Sequence, residues 1–207
     1  MKQNVTILAK NPFTTRVKTR LAEEIGENAA RGIYTRMLYQ TLNLLVSQPM
    51  ADTSLTLSLY SPEDQDFFQA AYPELAISQQ VGKDLGARIQ HALQQAFNNG
   101  AHKALVIGSD LPFMNWDLLH QAFFLLRDKT IVLGPALDGG YYLIGMQPPG
   151  VDVFQDIPWS SADVLKVTLQ KARVSGLQPL LLPEHRDIDL KSDLEVWQTG
   201  LMSGRSR

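Results

Sequence analysis

The chain has no cysteine at any of its 207 positions, which excludes disulfides, thiolate nucleophiles and cysteine-built zinc sites. Its four histidines, at 91, 102, 120 and 185, are scattered without metal-ligand spacing. A broad excess of positive charge is also missing: the net charge is −2, which disfavours a general nucleic-acid binder. No long hydrophobic run is present near the start, where one lysine precedes an apolar stretch over 5–9. That is too short for a signal peptide or a membrane span, so a cytoplasmic protein without a membrane span is expected. Neither an internal repeat nor a linker-like stretch divides the sequence. With 44% hydrophobic and 19% charged residues, the composition predicts an ordered globular protein. Its length suits one domain over 1–202, followed by a frayed basic tail at 203–207.

The stretch VTILAKNPFTTRVKTRL, at 5–21, is the organising one. It opens as a buried strand and runs into a loop carrying Lys10, Arg16, Lys18 and Arg20. The first twenty residues hold five basic side chains and no acidic one. A cationic loop directly after a first buried strand lies where open α/β sheets bind phosphate. The loop lacks the G-x-x-x-x-G-K-[ST] pattern, so side chains rather than wrapped backbone amides would neutralise the ligand. The plainer alternative is a solvated basic turn.

Downstream, helical and strand patterns alternate. Ala30, Ile33, Met37, Leu38, Thr41, Leu44 and Leu45 recur at helical spacing over 27–47. Leu55, Leu57 and Leu59 alternate as in a half-buried strand, and Ser61-Pro62-Glu63 begins a short helix reaching about 71. Further strands are expected over 75–80, 104–107, 131–133, 141–146 and 177–182, with helices over 85–97, 115–127, 161–173 and 190–199. Such alternation predicts a three-layer α/β/α sandwich around a mostly parallel sheet. The gap between the 131–133 and 141–146 runs is too short for a crossover, so at least one strand is antiparallel.

Three acidic motifs follow strands. Asp110, in Gly108-Ser109-Asp110, stands at the end of the most hydrophobic strand, where a carboxylate would hold Mg²⁺ alongside substrate phosphates; alternatively it caps a turn. Asp138-Gly139-Gly140 could bind a hydroxyl-rich group or supply a base, and it is also a hairpin signal. In Arg186-Asp187-Ile188-Asp189, the two carboxylates share one side of an extended segment. They suit a metal shared with Asp110, or a helix cap at Asp189. Arg88 could reach a phosphate or remain a solvated helix arginine. Trp159, Tyr141 and Tyr142 read as core or pocket lining.

Six motifs carry a family resemblance: K-x-P-x-x-x-R-V-K-T-R-L at 10–21, Q-x-G-x-D-L-G-x-R at 80–88, G-S-D-x-P at 108–112, G-P-A-x-D-G-G-Y-Y-L-I-G at 134–145, P-W-S-S at 158–161 and D-I-D at 187–189. In this order, from about 7 to 197, the sequence resembles the bacterial DUF2064 proteins, which are glycosyltransferase-like members of the nucleotide-diphospho-sugar transferase superfamily with a GT-A fold. The resemblance implies an NDP-sugar or NTP site under the basic loop. Lys10, Arg16, Lys18, Arg20 and Arg88 would face phosphate, and Asp110 and Asp189 would hold Mg²⁺ or Mn²⁺. Asp110 and Asp138 would be the catalytic carboxylates, with Gly139, Gly140 and Trp159 against substrate. Two departures stand out: Thr14-Thr15 replaces the family's Pro-Gly, and Trp159-Ser160-Ser161 replaces W-S-T.

The expectation is a metal-dependent transferase moving a glycosyl group from an NDP-sugar. Nucleotidyl transfer from an NTP, with pyrophosphate leaving, remains open because a dense basic loop suits a triphosphate. A non-catalytic nucleotide-sensing module is the alternative of another class.

Overall fold

The computed structural model describes residues 1–203. Seven strands form one mixed sheet: β1 (Gln3–Ala9), β2 (Thr53–Leu59), β3 (Ala76–Gln79), β4 (Lys103–Gly108), β5 (Thr130–Pro135), β6 (Tyr141–Met146) and β7 (Gln178–Leu181). Their spatial order is β3-β2-β1-β4-β6-β5-β7. β6 runs antiparallel to both β4 and β5, and every other pairing is parallel. The five residues between β5 and β6 force this reversal, since a parallel pair would need a crossover.

Seven α-helices cover the sheet: α1 (Thr19–Ile25), α2 (Glu27–Ser47), α3 (Gln65–Ala71), α4 (Leu85–Asn98), α5 (Trp116–Leu125), α6 (Val164–Val174) and α7 (Lys191–Ser203). Leu38, Leu42 and Leu45 of α2 pack with Phe68, Leu119 and Phe123 against Val5, Ile7, Leu57 and Leu105 on one face. On the other face, Ile89, Leu93 and Ala172 from α4 and α6 meet Ala104, Val106, Ile131 and Ile144. β4 is therefore buried on both sides, which is why its residues 104–107 form an unbroken apolar run. The expected α/β/α sandwich is the observed architecture.

Several expected details shift. The basic loop contains a helix, α1, that its charged, weakly apolar sequence does not announce. In α2 the buried stripe includes Tyr34 and Leu42, while Ile33 and Leu44 are only half-buried. Proline starts a 3-10 turn at 62–64 ahead of α3, but the Ser61 side chain bonds Glu63 instead of capping the backbone. Of the tail expected at 203–207, Ser203 closes α7, and 204–207 lie outside the described residues.

Candidate functional site

β1 pairs with β2 on one side and β4 on the other, so the chain reverses its winding direction between β1 and β4. Ligands of open α/β sheets bind outside the carboxyl ends of the strands at such a point. A cavity of about 410 Å³ lies there, lined by Lys10 and Lys18 from the loop after β1, Ser109 and Asp110 after β4, and Asp187 and Asp189 after β7. Tyr34 reaches across from α2: its hydroxyl accepts from the Lys10 amide at 3.1 Å and lies 2.8 Å from Ser109 Oγ. It thereby ties the loops after β1 and β4 together. Burial, then the nearby Asp110 charge, pushes its ionisation up to about 12, so it works as a neutral hydrogen-bonding group.

Lys18 is the centre of the arrangement. Its Nζ stands 2.6 Å from Asp110 Oδ2 and 2.9 Å from Asp189 Oδ1. Only 7% of its side chain is exposed. Burial opposes its charge, but Asp110 and then Asp189 outweigh that and raise its pKa. The residue has φ 48, a left-handed conformation, and its carbonyl accepts the Ala22 amide to start α1. Asp110 is thus an ion-pair partner, and the cap of the following helix is Asn115, which accepts from Leu118 N.

The segment carrying Asp187 and Asp189 is held against β5 and β6. Leu137 N donates to His185 O and His185 N to Pro135 O, each at 3.0 Å. The His185 ring stacks on Phe113 with centroids 3.8 Å apart. Asp187 is directed inward, with Oδ1 buried and without a hydrogen-bond partner. Burial, followed by the charge of Asp110, pushes its carboxyl up to about 7. Asp189 does not cap α7: Glu24 Oε2 accepts the first helical amide, from Lys191, at 2.9 Å, and Asp193 reaches back from the first turn to accept from Asp189 N at 3.2 Å and Leu190 N at 2.9 Å.

A second cavity, of about 260 Å³, shares Leu85, Tyr141, Asp187 and Asp189 with the first and adds Arg20, Asp138, Gly140, Trp159 and Ser160. Asp138 lies in the β5–β6 connection and accepts from Gly140 N at 2.9 Å, so the hairpin and the cavity wall are one structure. Gly139 packs behind this wall at φ 88; a Cβ there would fall 2.2 Å from Ala162 O. Trp159 packs edge-on to Tyr141.

The basic residues divide. Lys10 and Arg88 line the main cavity, 5.2 and 4.9 Å from the centre of the Tyr60 ring. Arg20 belongs to the second cavity. Arg16 stands apart, paired with Glu27 at the surface. Thr14, one of the departures from the family pattern, donates to buried Asp64, which also accepts from Asn11 Nδ2 at 2.9 Å. Hydrogen bonds to one carboxylate hold the loop there. Tyr34 and Tyr60 escaped the sequence reading; the signal for Tyr34 was its place among Ala30, Met37, Leu38 and Thr41 on one helical face.

Among the described residues no three His, Cys, Asp or Glu side chains converge as a metal-binding group. Mg²⁺, however, is commonly held by one or two carboxylates and completes its shell with water and substrate phosphates. Asp110 and Asp189 already converge on one cation, the Lys18 ammonium, so they fit such a two-carboxylate site.

A family model described as an uncharacterized protein conserved in bacteria (DUF2064) matches residues 42–161, more than half of the chain. Among solved structures, the chain is similar to a provisionally assigned nucleotide-diphospho-sugar transferase from Desulfovibrio desulfuricans G20. That match has 34% identity and a TM-score of 0.86, covering 95% of this chain and 86% of that one. A nucleotidyl transferase from Methanothermobacter thermautotrophicus shares the fold at 13% identity and TM-score 0.64, covering 98% and 99% of the two chains. So does the 4-diphosphocytidyl-2C-methyl-D-erythritol synthase of Anaerococcus prevotii DSM 20548, at 9% identity and TM-score 0.62, covering 97% and 96%. None of the curated proteins matches the chain. The family match and the similarity along nearly the whole chain agree with the six ordered motifs: the protein belongs to the DUF2064 family and has a nucleotide-diphospho-sugar transferase fold.

Proposed function

We propose that the protein transfers a glycosyl group from a nucleotide-diphosphate sugar to an acceptor hydroxyl, with Mg²⁺ or Mn²⁺ as cofactor. The observation that carries this is the pair of cavities meeting at Asp187 and Asp189. The main one takes the donor, with Lys10, Lys18 and Arg88 available to its phosphates. Asp110 and Asp189 would hold the metal ion, which when bound would supply positive charge against the leaving diphosphate. The second cavity takes the acceptor. Asp138 and Asp189 outnumber its single guanidinium, Arg20, and Asp187 adds a largely uncharged carboxyl below pH 7, which favours a neutral hydroxyl over a phosphate ester. Asp138 accepts the acceptor's proton as its oxygen bonds the anomeric carbon; the bond from that carbon to the diphosphate oxygen breaks, and the nucleoside diphosphate leaves. Gly140 and Trp159 shape the wall.

Nucleotidyl transfer is the second reading, favoured by Lys10 and Arg88 gathered on Tyr60, a supply of cations suited to a triphosphate. It accords with the names of the Methanothermobacter and Anaerococcus proteins.

Thermal unfolding against NTPs and NDP-sugars, with and without Mg²⁺ or Mn²⁺, tests the site. A ligand bound only by the folded state at 100 times its Kd adds about 2.7 kcal/mol. A metal-dependent shift with one NDP-sugar, followed by release of the nucleoside diphosphate, is expected. Pyrophosphate release from an NTP would establish the second reading. No shift with any ligand in a folded sample would refute both. Asp110→Ala separates an enzyme from a sensing module, since an enzyme loses turnover even at saturating ligand.

A further inference from the structure

The two carboxylates that a divalent ion would use are already satisfied by a cation belonging to the chain. Lys18 Nζ touches Asp110 Oδ2 and Asp189 Oδ1 at 2.6 and 2.9 Å. Mg²⁺ binds oxygen at about 2.1 Å, so an ion on the same two oxygens would overlap the ammonium. Repulsion between the two cations in this shielded setting would be severe, because buried charges are poorly screened. The main chain of Lys18 is fixed, since its carbonyl begins α1 and its φ is 48. Its four-carbon stem is flexible, so the ammonium can leave without the fold moving. The main cavity, which Lys18 also lines, is where it can go.

We propose that Lys18 and a divalent cation are mutually exclusive occupants of the Asp110–Asp189 pair. This rests on reading the main cavity as a phosphate-bearing ligand's site. Without ligand, the ammonium balances the carboxylates and keeps the metal out. When phosphate oxygens arrive they offer Lys18 another partner, and the freed carboxylates join those oxygens around the metal. Metal and phosphate then promote each other's binding, and that coupling is reciprocal.

The test measures Mn²⁺ binding from the electron paramagnetic resonance signal of the free ion, using inorganic pyrophosphate as a base-independent probe. A protein-free control accounts for the Mn²⁺–pyrophosphate complex. Without pyrophosphate, Lys18→Met is expected to bind Mn²⁺ at least about tenfold tighter than wild type, and adding pyrophosphate is expected to tighten wild type by a similar factor. Equal Mn²⁺ affinity in wild type and a folded Lys18→Met would overturn the proposal. If pyrophosphate changes nothing but Lys18→Met still gains Mn²⁺, exclusion stands and the phosphate-site reading fails. If pyrophosphate binds and Lys18→Met gains nothing, the reverse holds.

Should Lys18→Met fail to fold, the side-chain ¹⁵N resonance of Lys18 in the wild-type protein gives the answer. It should stay in place with Mg²⁺ alone and shift with Mg²⁺ plus pyrophosphate. Tight Mg²⁺ binding that leaves this resonance unmoved would overturn the proposal.

Discussion

Asp187 is the most deeply buried carboxylate lining the main cavity, and its Oδ1 has no hydrogen-bond partner. Burial and then Asp110 raise its pKa to about 7 in the folded protein, above the ordinary 3.8. The folded state therefore holds an extra proton between these values, and the stability this contributes is full below about pH 4 and lost as pH rises through 7. Asp187→Asn cannot ionise and should escape that loss. Its melting temperature relative to wild type is expected to climb between pH 4 and pH 8, by the equivalent of about 1–4 kcal/mol; a gap that narrows over this range would contradict the burial argument. At the same scale, Lys10, Arg16, Lys18 and Arg20 read from sequence as one cluster. Charge and spacing were legible there, but direction was not. Lys18 is turned inward to two carboxylates, Arg20 lines the second cavity, and the surface Glu27 claims Arg16.

At the scale of elements, the long apolar periodicities of α2 and α4 and the solid run of β4 were plain in the sequence. Burial imposes those patterns directly. α1 was not legible, since only Leu21 in it is fully buried. Ahead of α7 the sequence left Asp189 open between a metal ligand and a helix cap. Asp193 reaches back to the amides of Asp189 and Leu190 and also receives Arg186 at 2.9 Å, which removes the cap alternative for Asp189. Losing these reach-back hydrogen bonds should cost about 1 kcal/mol. Asp193→Ala is accordingly expected to lower the urea midpoint without changing the slope, and Asp193→Asn, which keeps an acceptor, should lose less. Equal losses in the two variants would show that the Arg186 ion pair, not the reach-back hydrogen bonds, carries the stabilisation.

Across the whole molecule, the sequence showed the layer type and the one reversal in the sheet. It could not show the strand order, because pairing joins segments far apart along the chain. That order nonetheless makes the site, by putting the ends of β1 and β4 side by side. It also sets where the molecule is most secure. β1 and β4 have neighbours on both edges, and covered faces, so their amides should exchange with solvent most slowly. The short outer strands β3 and β7 should exchange sooner in a hydrogen-exchange time course. Comparable rates in β1 and β3 would mean that the sheet opens as a single cooperative unit.

Lys18 and Asp189 lie 171 positions apart. All seven strands are complete by Leu181, ahead of the segment that carries Asp187 and Asp189. A prematurely terminated product ending there would have its scaffold but lack one side of its charge centre. The charge centre is thus closed by a segment outside the sheet, and a chain can keep every strand yet leave Lys18 with one carboxylate instead of two.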